Sequence, residues 1–189
     1  YNDEFAEVFS AFAFDGKIQL DAKKLEEAPT EYEHLEAGEP DELRRDVVKI
    51  YKDVHLGIIV VGIENQMMVD FTMPVRMMGY DWVRYHNQIE AIPKKNRDMR
   101  IYPVVSIVLN FSYKEKWEWP HALKDLLMPV PEIEKFIQNY KLRVINLAWL
   151  NRKQRSQLTG DFRILVDALC EMRKTGTIKG GPQRIKHVK

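Results

Sequence analysis

Apolar residues recur at helical spacing from the start of the chain. Phe5, Val8, Phe9 and Phe12 fall at i, i+3, i+4 and i+7, one stripe of a helix that "FDGK" breaks at Gly16. "LDAKKLEEAPTEYEHLEAGEPDE" is acidic, holds Pro29 and Pro40, and predicts a short helical turn plus a loop. "RRDVVKIYKDVHLGIIVVGIENQ" predicts two strands around a turn near Asp53–Gly57. "TMPVRMMGYDWVRYHNQIEAI" predicts a helix with Thr72 as its cap and Pro74 in its first turn; Val75, Met78, Trp82, Tyr85 and Ile89 form its apolar stripe. "KKNRDM" is a polar linker, and "RIYPVVSIVLNFS" reads as a buried strand. "WEWPHALKDLLMPVP" reads as irregular with a helical turn, "RVINLAWL" as a short strand, and "NRKQRSQLTGDFRILVDALCEMRK" as one or two closing helices. The order helix, strand, strand, helix, strand predicts an α/β fold, with no internal repeat.

Composition narrows this picture. At 189 residues and 45% hydrophobic the chain can bury one core, so a single domain over residues 1–174 is expected. The first residue is Tyr1 rather than Met, which reads as a truncated start. A net charge of +1 favours no partner globally. Locally, acids dominate from Asp21 to Asp46, whereas residues 175–189, "GTIKGGPQRIKHVK" at their core, form a basic tail read as a flexible terminus. Cys170 is the lone cysteine, so neither an intrachain disulfide nor a cysteine-cluster zinc site can form. The histidines at 34, 55, 86, 121 and 187 make no local ligand pair. No apolar run approaches the roughly 18 residues of a membrane span, so no membrane partner and a cytoplasmic setting are expected. The five methionines 67, 68, 73, 77 and 78, and Trp117 and Trp119, read as core filling.

One position resists that reading. Glu64 ends the apolar run "GIIVVGI", and Gln66 lies two residues on, hence on the same face. A charge desolvated there must lie at a strand mouth, be paired, or hold a metal. Asp46 and Glu64 are equidistant from His55 in the predicted turn, so an antiparallel hairpin sets them opposite each other with Cβ atoms about 5 Å apart. Apposed carboxylates repel, and a divalent cation between them converts repulsion into binding. A hairpin end frayed into solvent, with Asp46 paired to Arg44 or Lys49, explains the same pattern. On the following helix Arg76, Tyr80 and Arg84 drift along one side, a face suited to DNA phosphate and stacking. Alternatively Tyr80 packs inward and the arginines pair with Asp81 or Glu90.

Asp at the head of one strand, Glu-x-Gln at the end of the next, then a helix and a strand resembles the PD-(D/E)XK nuclease core. The chain more narrowly resembles the recombination-promoting nuclease (Rpn) and putative transposase family. The passages that carry this are "FAEVFSAFAFDGK", "RRDVVKIYKD", "GIENQ", "MPVRMMGYDWVRYHNQ", "YPVVSIVLNF" and "DFRILVDALCEMRK", in order over most of Phe5–Lys174. The resemblance implies a restriction-endonuclease-like mixed β-sheet flanked by helices, with a helical C-terminal extension. It also implies metal-dependent cleavage of DNA phosphodiester bonds, with Mg²⁺, or Mn²⁺ in its place, held by Asp46 and Glu64. Gln66 stands where most of the wider superfamily has Lys, and Asp46 follows Arg45 rather than Pro. A further acid on the first helix is implied, Glu7 by its place in the pattern, with Glu4 as rival. Lys can stabilise developing phosphorane charge, whereas Gln can only position a water. The resemblance leaves a homodimer open, and a catalytically idle nuclease fold that binds DNA or protein remains the alternative.

Overall fold

In the computed structural model, the structure describes residues 1–28, 31–32, 43–44, 46–93 and 99–178. His34, His187, the "KKNRDM" linker up to Asp98 and all of the basic tail beyond residue 178 lie outside them. The chain opens with α1 (Asn2–Phe12) and a 3₁₀ turn, Ala22–Lys24, that leads into β1 (Leu25–Glu27). β2 (Glu31–Tyr32) and β3 (Leu43–Arg44) pair as a separate two-stranded ribbon. β4 (Val47–Asp53), β5 (Gly57–Gln66), α2 (Met73–Glu90), β6 (Val104–Asn110) and β7 (Val144–Asn146) follow, and then α3 (Arg152–Arg155) and α4 (Asp161–Thr175).

The main sheet has the order β1-β4-β5-β6-β7. Its first two pairings are antiparallel and its last two parallel, so it is a mixed sheet with helices on its faces. This is the restriction-endonuclease-like α/β arrangement expected. The β4–β5 hairpin closes tightly because Gly57 takes φ +73°, a left-handed conformation that a side chain would strain. Asp53 fixes the same turn by accepting hydrogen bonds from the His55 and Leu56 amides at 2.7 and 3.0 Å. Joining the parallel pair β5 and β6 requires a crossover, and α2 is that crossover.

Strand alternation sorts the two faces. Tyr51, Ile59, Val61 and Ile63 join Phe5, Val8, Phe9 and Phe12 of α1 and Val166 and Cys170 of α4 in the larger core. Phe9 is fully buried there, worth about 1.5–3 kcal/mol by its transfer from water. On the other face Met73, Met77 and Tyr80 of α2 pack on Val108 and Trp117. Asp81 pins α2 to that face, accepting hydrogen bonds from Ser106 Oγ and Tyr140 Oη, both at 2.6 Å.

Several sequence expectations change here. Of the expected stripe of α2, Val75, Met78, Trp82 and Ile89 are exposed, not buried, and Tyr85 is half-buried with its hydroxyl accepting from the Val104 amide; the inward residues are Met73, Met77, Tyr80 and Val83. α2 carries apolar residues on both sides, and the sheet takes the side whose unbranched methionines fit beside Val108. Met67 and Met68 are also exposed, and so is Trp119, whereas Trp117 is core as expected. β1 forms where a loop is expected, because Lys49 and Lys52 of β4 each find a β1 carboxylate, Glu27 and Glu26. "RVINLAWL" is a strand only to Asn146 and then turns into a 3₁₀ helix, Leu147–Trp149.

Candidate active site

The β4–β5 register pairs Val47 with Ile63. One step further, Asp46 stands just before β4 and across from Glu64. Glu64 in turn neighbours Val108 on β6, which belongs to the apolar cluster under α2. Its side chain is therefore taken from water on the α2 face, at 2% exposure. A carboxylate so placed needs positive partners, and α2 supplies one. Arg76 Nη2 donates to Glu64 Oε1 at 2.8 Å. The same oxygen accepts from Gln66 Nε2 at 3.2 Å, as expected for residues two apart on one strand face.

Arg76 is itself held from three directions. Its Nη1 donates to Asp70 Oδ2 at 2.6 Å, and its Nη2 to Tyr80 Oη at 3.1 Å. Burial works against the guanidinium charge, but the Tyr80 hydroxyl and the Asp70 carboxylate outweigh it and hold the Arg76 pKa above its ordinary value. Asp70 is likewise disfavoured by burial, and the Thr72 hydroxyl, Arg76 and the Thr72 amide still keep its carboxyl below the usual range. Asp70, not Thr72, satisfies the start of α2: its Oδ1 accepts from Thr72 N at 2.8 Å and from Thr72 Oγ1 at 2.7 Å. Sequence reasoning missed Asp70. An Asp two residues before Thr72 and four before the helix proline was the available signal, the local side-chain-to-backbone bonding typical of Asx turns.

The other predicted residues divide between the two faces. Tyr80 is buried, with its ring in the α2 core and its hydroxyl on Arg76, so it offers no open face for stacking. Arg84 is half-buried, and burial pushes its pKa down to about 10. Asp46 is exposed, and its Oδ2 accepts from the Asn65 amide at 2.6 Å. It lines a cavity of about 440 Å³ on the α1 face together with Glu4, Phe5, Lys49, Asn65 and Phe111; Glu64 is not part of that lining. Asp46 and Glu64 thus meet at the Glu64–Asn65 peptide, one touching its amide and the other leaving it toward α2. Lys49 does not serve Asp46; it is paired with Glu27. Glu4 reaches the Asp46 cavity. Glu7 bonds elsewhere: it accepts from the Thr159 amide, from Thr159 Oγ1 at 2.7 Å and from the Gly160 amide at 3.1 Å, at the N-terminus of α4.

Chemically, the arrangement offers two carboxylates, one amide and one fixed guanidinium at the open end of a hairpin. Among the described residues no group of three or more His, Cys, Asp or Glu stands together as a metal cage. Two carboxylates with the remaining positions left to water and phosphate is nonetheless how Mg²⁺ is commonly held.

A family model described as "Putative transposase, YhgA-like" matches residues 46–185, more than half of the chain. The match begins at Asp46 and takes in Glu64, Gln66, Arg76 and the whole of α2. No curated protein and no solved structure matches the chain.

Proposed function

The chain belongs to the putative transposase, YhgA-like family, and on that premise we propose that it is a metal-dependent DNA endonuclease serving DNA mobility or recombination. The observation that carries this reading is the buried Glu64 at the mouth of the β4–β5 hairpin, one step beyond the Val47–Ile63 pair, with Asp46 bonded to the next amide, that of Asn65, and Gln66 bonded to the Glu64 Oε1. A carboxylate at 2% exposure costs several kcal/mol unless it is compensated. Arg76 supplies that compensation, and Asp46, on the α1 side of the Glu64–Asn65 peptide, brings a second acid to the same open end of the hairpin, so the two would reach an ion from either side of that peptide. The donors are hard oxygens, which fits Mg²⁺ or Mn²⁺.

Asp46 and Glu64 would hold the ion. Bound there, a divalent cation supplies an acidified water and stabilises charge on the phosphate. Gln66 has no charge to offer; its amide, already aligned on Glu64, orients the nucleophilic water by hydrogen bonding. Arg76 spends its fork on Glu64, Asp70 and Tyr80 and sets a fixed positive charge next to the site, which would attract a DNA phosphate. Arg84 lies two turns further along α2 and extends that contact along the backbone of the nucleic acid.

A second reading has its own observation. Arg76 already neutralises Glu64, and the described residues include no larger acidic cluster. That favours an idle nuclease fold that binds DNA without cutting it. Nicking of supercoiled plasmid by purified protein, with and without Mg²⁺ or Mn²⁺, separates the two. The endonuclease reading predicts metal-dependent nicking that Asp46→Ala abolishes. It also predicts that Arg76→Ala with Arg84→Ala weakens binding to all sequences and flattens its salt dependence. Salt-sensitive binding with no nicking under any metal would give the case to the idle fold.

A further inference from the structure

We infer that the cavity on the α1 face beside Asp46 takes one unstacked base of the DNA strand, so that the chain selects DNA carrying an unpaired base over a perfect duplex. The inference rests on the nuclease reading above and adds its substrate class. At about 440 Å³ the cavity falls within the range of small-ligand sites and has room for a single base with its sugar. Its walls are apolar: Val8, Ile63 and Leu109 line it beside the rings of Phe5, Phe111 and Phe162. Phe111 and Phe162 meet edge to face, 6.3 Å between centroids at 84°. Both are only half-buried, so the core behind them leaves ring surface for the cavity. A base has two π-faces to lay on such rings.

Charge decides which part of a nucleotide enters. Lys49, the one basic side chain among the described lining residues, is spent on Glu27 and lies over the Phe5 ring at 5.6 Å. The lining keeps an excess of acid, Glu4 and Asp46, which bars an anionic phosphate from the apolar interior and can accept from the exocyclic amino group of a base. The Asn65 carboxamide, on the same lining, offers a donor and an acceptor to a base edge. The neutral base enters and the phosphate stays at the rim. A second observation points the same way. The turn after Gln66 exposes Met67, Met68 and Phe71 at 66%, 74% and 64%. It is braced at both ends: Phe111 N donates to Gln66 O at 2.8 Å, and Asp70 O accepts from Met73 N at 3.2 Å while the Asp70 carboxylate holds Thr72 and Arg76. Apolar side chains held in this way can wedge between base steps and fill the gap that a displaced base leaves. Met67 lies two positions beyond the cavity residue Asn65, so wedge and cavity serve the same stretch of strand.

Fluorescence anisotropy in metal-free buffer tests the inference without cleavage, comparing a short perfect duplex with the same duplex carrying one bulged cytosine. The bulged duplex is expected to bind at least about tenfold tighter, because it gains the base–aromatic contact without the unpairing that the perfect duplex must undergo. Asn65→Trp, at an exposed position on the lining, sets an indole in the cavity mouth and is expected to remove that preference. Met67→Ser/Met68→Ser, at exposed positions outside the core, is expected to reduce it. Melting temperature shows that each variant is folded. Equal affinity for the two duplexes, or a preference undiminished in either folded variant, would overturn the inference and leave the nuclease reading in place. Binding to neither duplex would sink the nuclease reading and the inference with it.

Discussion

At the scale of single residues, the informative feature is Glu64, and the sequence exposes it because strand periodicity is strict. Period two places Gln66 on the same face, and the amide is indeed bonded to Glu64. The partner that holds Arg76 from the other side was not legible. Asp70 reaches Arg76 across the turn that starts α2, and its role depends on a local backbone geometry that spacing alone does not specify. Two predictions belong here. Gln66→Ala should slow metal-dependent cleavage about 10²-fold, about 2.7 kcal/mol of barrier, while leaving DNA affinity nearly unchanged, because a water-orienting group is lost and no phosphate contact with it. Single-turnover cleavage and filter binding, measured on the same preparation, check this. Arg76→Ala should destabilise the metal-free protein by about 1–2 kcal/mol in urea unfolding. That is less than the 3–5 typical of breaking a fully buried pair, since the Arg76 side chain is 37% exposed and water screens it. Arg76→Lys should recover little of this loss, lacking the fork that spans Glu64 and Asp70.

At the scale of elements, the hairpin was legible and the orientation of α2 was not. Turn chemistry and alternation locate β4 and β5 together, and the midpoint of Asp46 and Glu64 falls in the turn that the register confirms. α2, in contrast, has apolar residues at 73, 77 and 80 and again at 75, 78, 82 and 89, two stripes of comparable strength. Periodicity says that such a segment is a helix; which stripe faces the sheet depends on the shape it must fill, and that is a tertiary property. The hairpin turn carries a pH signature. Asp53 is held ionised chiefly by Lys24, whose Nζ donates at 2.6 Å, and by the Leu56 and His55 amides, so its carboxyl titrates below the ordinary range. A depressed folded-state pKa contributes stability that is fully present above the unfolded value of about 3.9 and is lost as pH falls through the folded value. Asp53→Asn should therefore lower the melting temperature at neutral pH, and the gap to wild type should close as pH drops below about 4. Melting curves across the acid range check the sign. A gap that persists at the lowest pH would show that packing of the turn, not its charge, is what the substitution disturbs.

At the scale of the whole molecule, the order helix, strand, strand, helix, strand predicts an α/β fold and the family resemblance implies a mixed sheet with helices on its faces, and the chain has one. What the order could not supply are its edges. β1 is three residues long and acidic, and it joins the sheet because two lysines of β4 point at it. β7 is also only three residues long and gives way at once to a 3₁₀ turn. The first-helix acids show the same limit. Glu7 fits a pattern in the sequence, yet the fold brings α4 against α1 and Glu7 caps it, while Glu4 lies on the Asp46 cavity. Separation along the chain, more than 150 residues between Glu7 and Thr159, makes that contact invisible to local reading. No helix among the described residues is long and apolar enough to cross a membrane. The central claim is that Asp46 and Glu64 together hold a divalent ion, and Mn²⁺ binding followed by electron paramagnetic resonance measures it without reference to cleavage. The account predicts one saturable site per chain in the wild type and its loss in Asp46→Asn/Glu64→Gln, with the variant still folded. Equal Mn²⁺ binding by wild type and variant, or none by either, would contradict it.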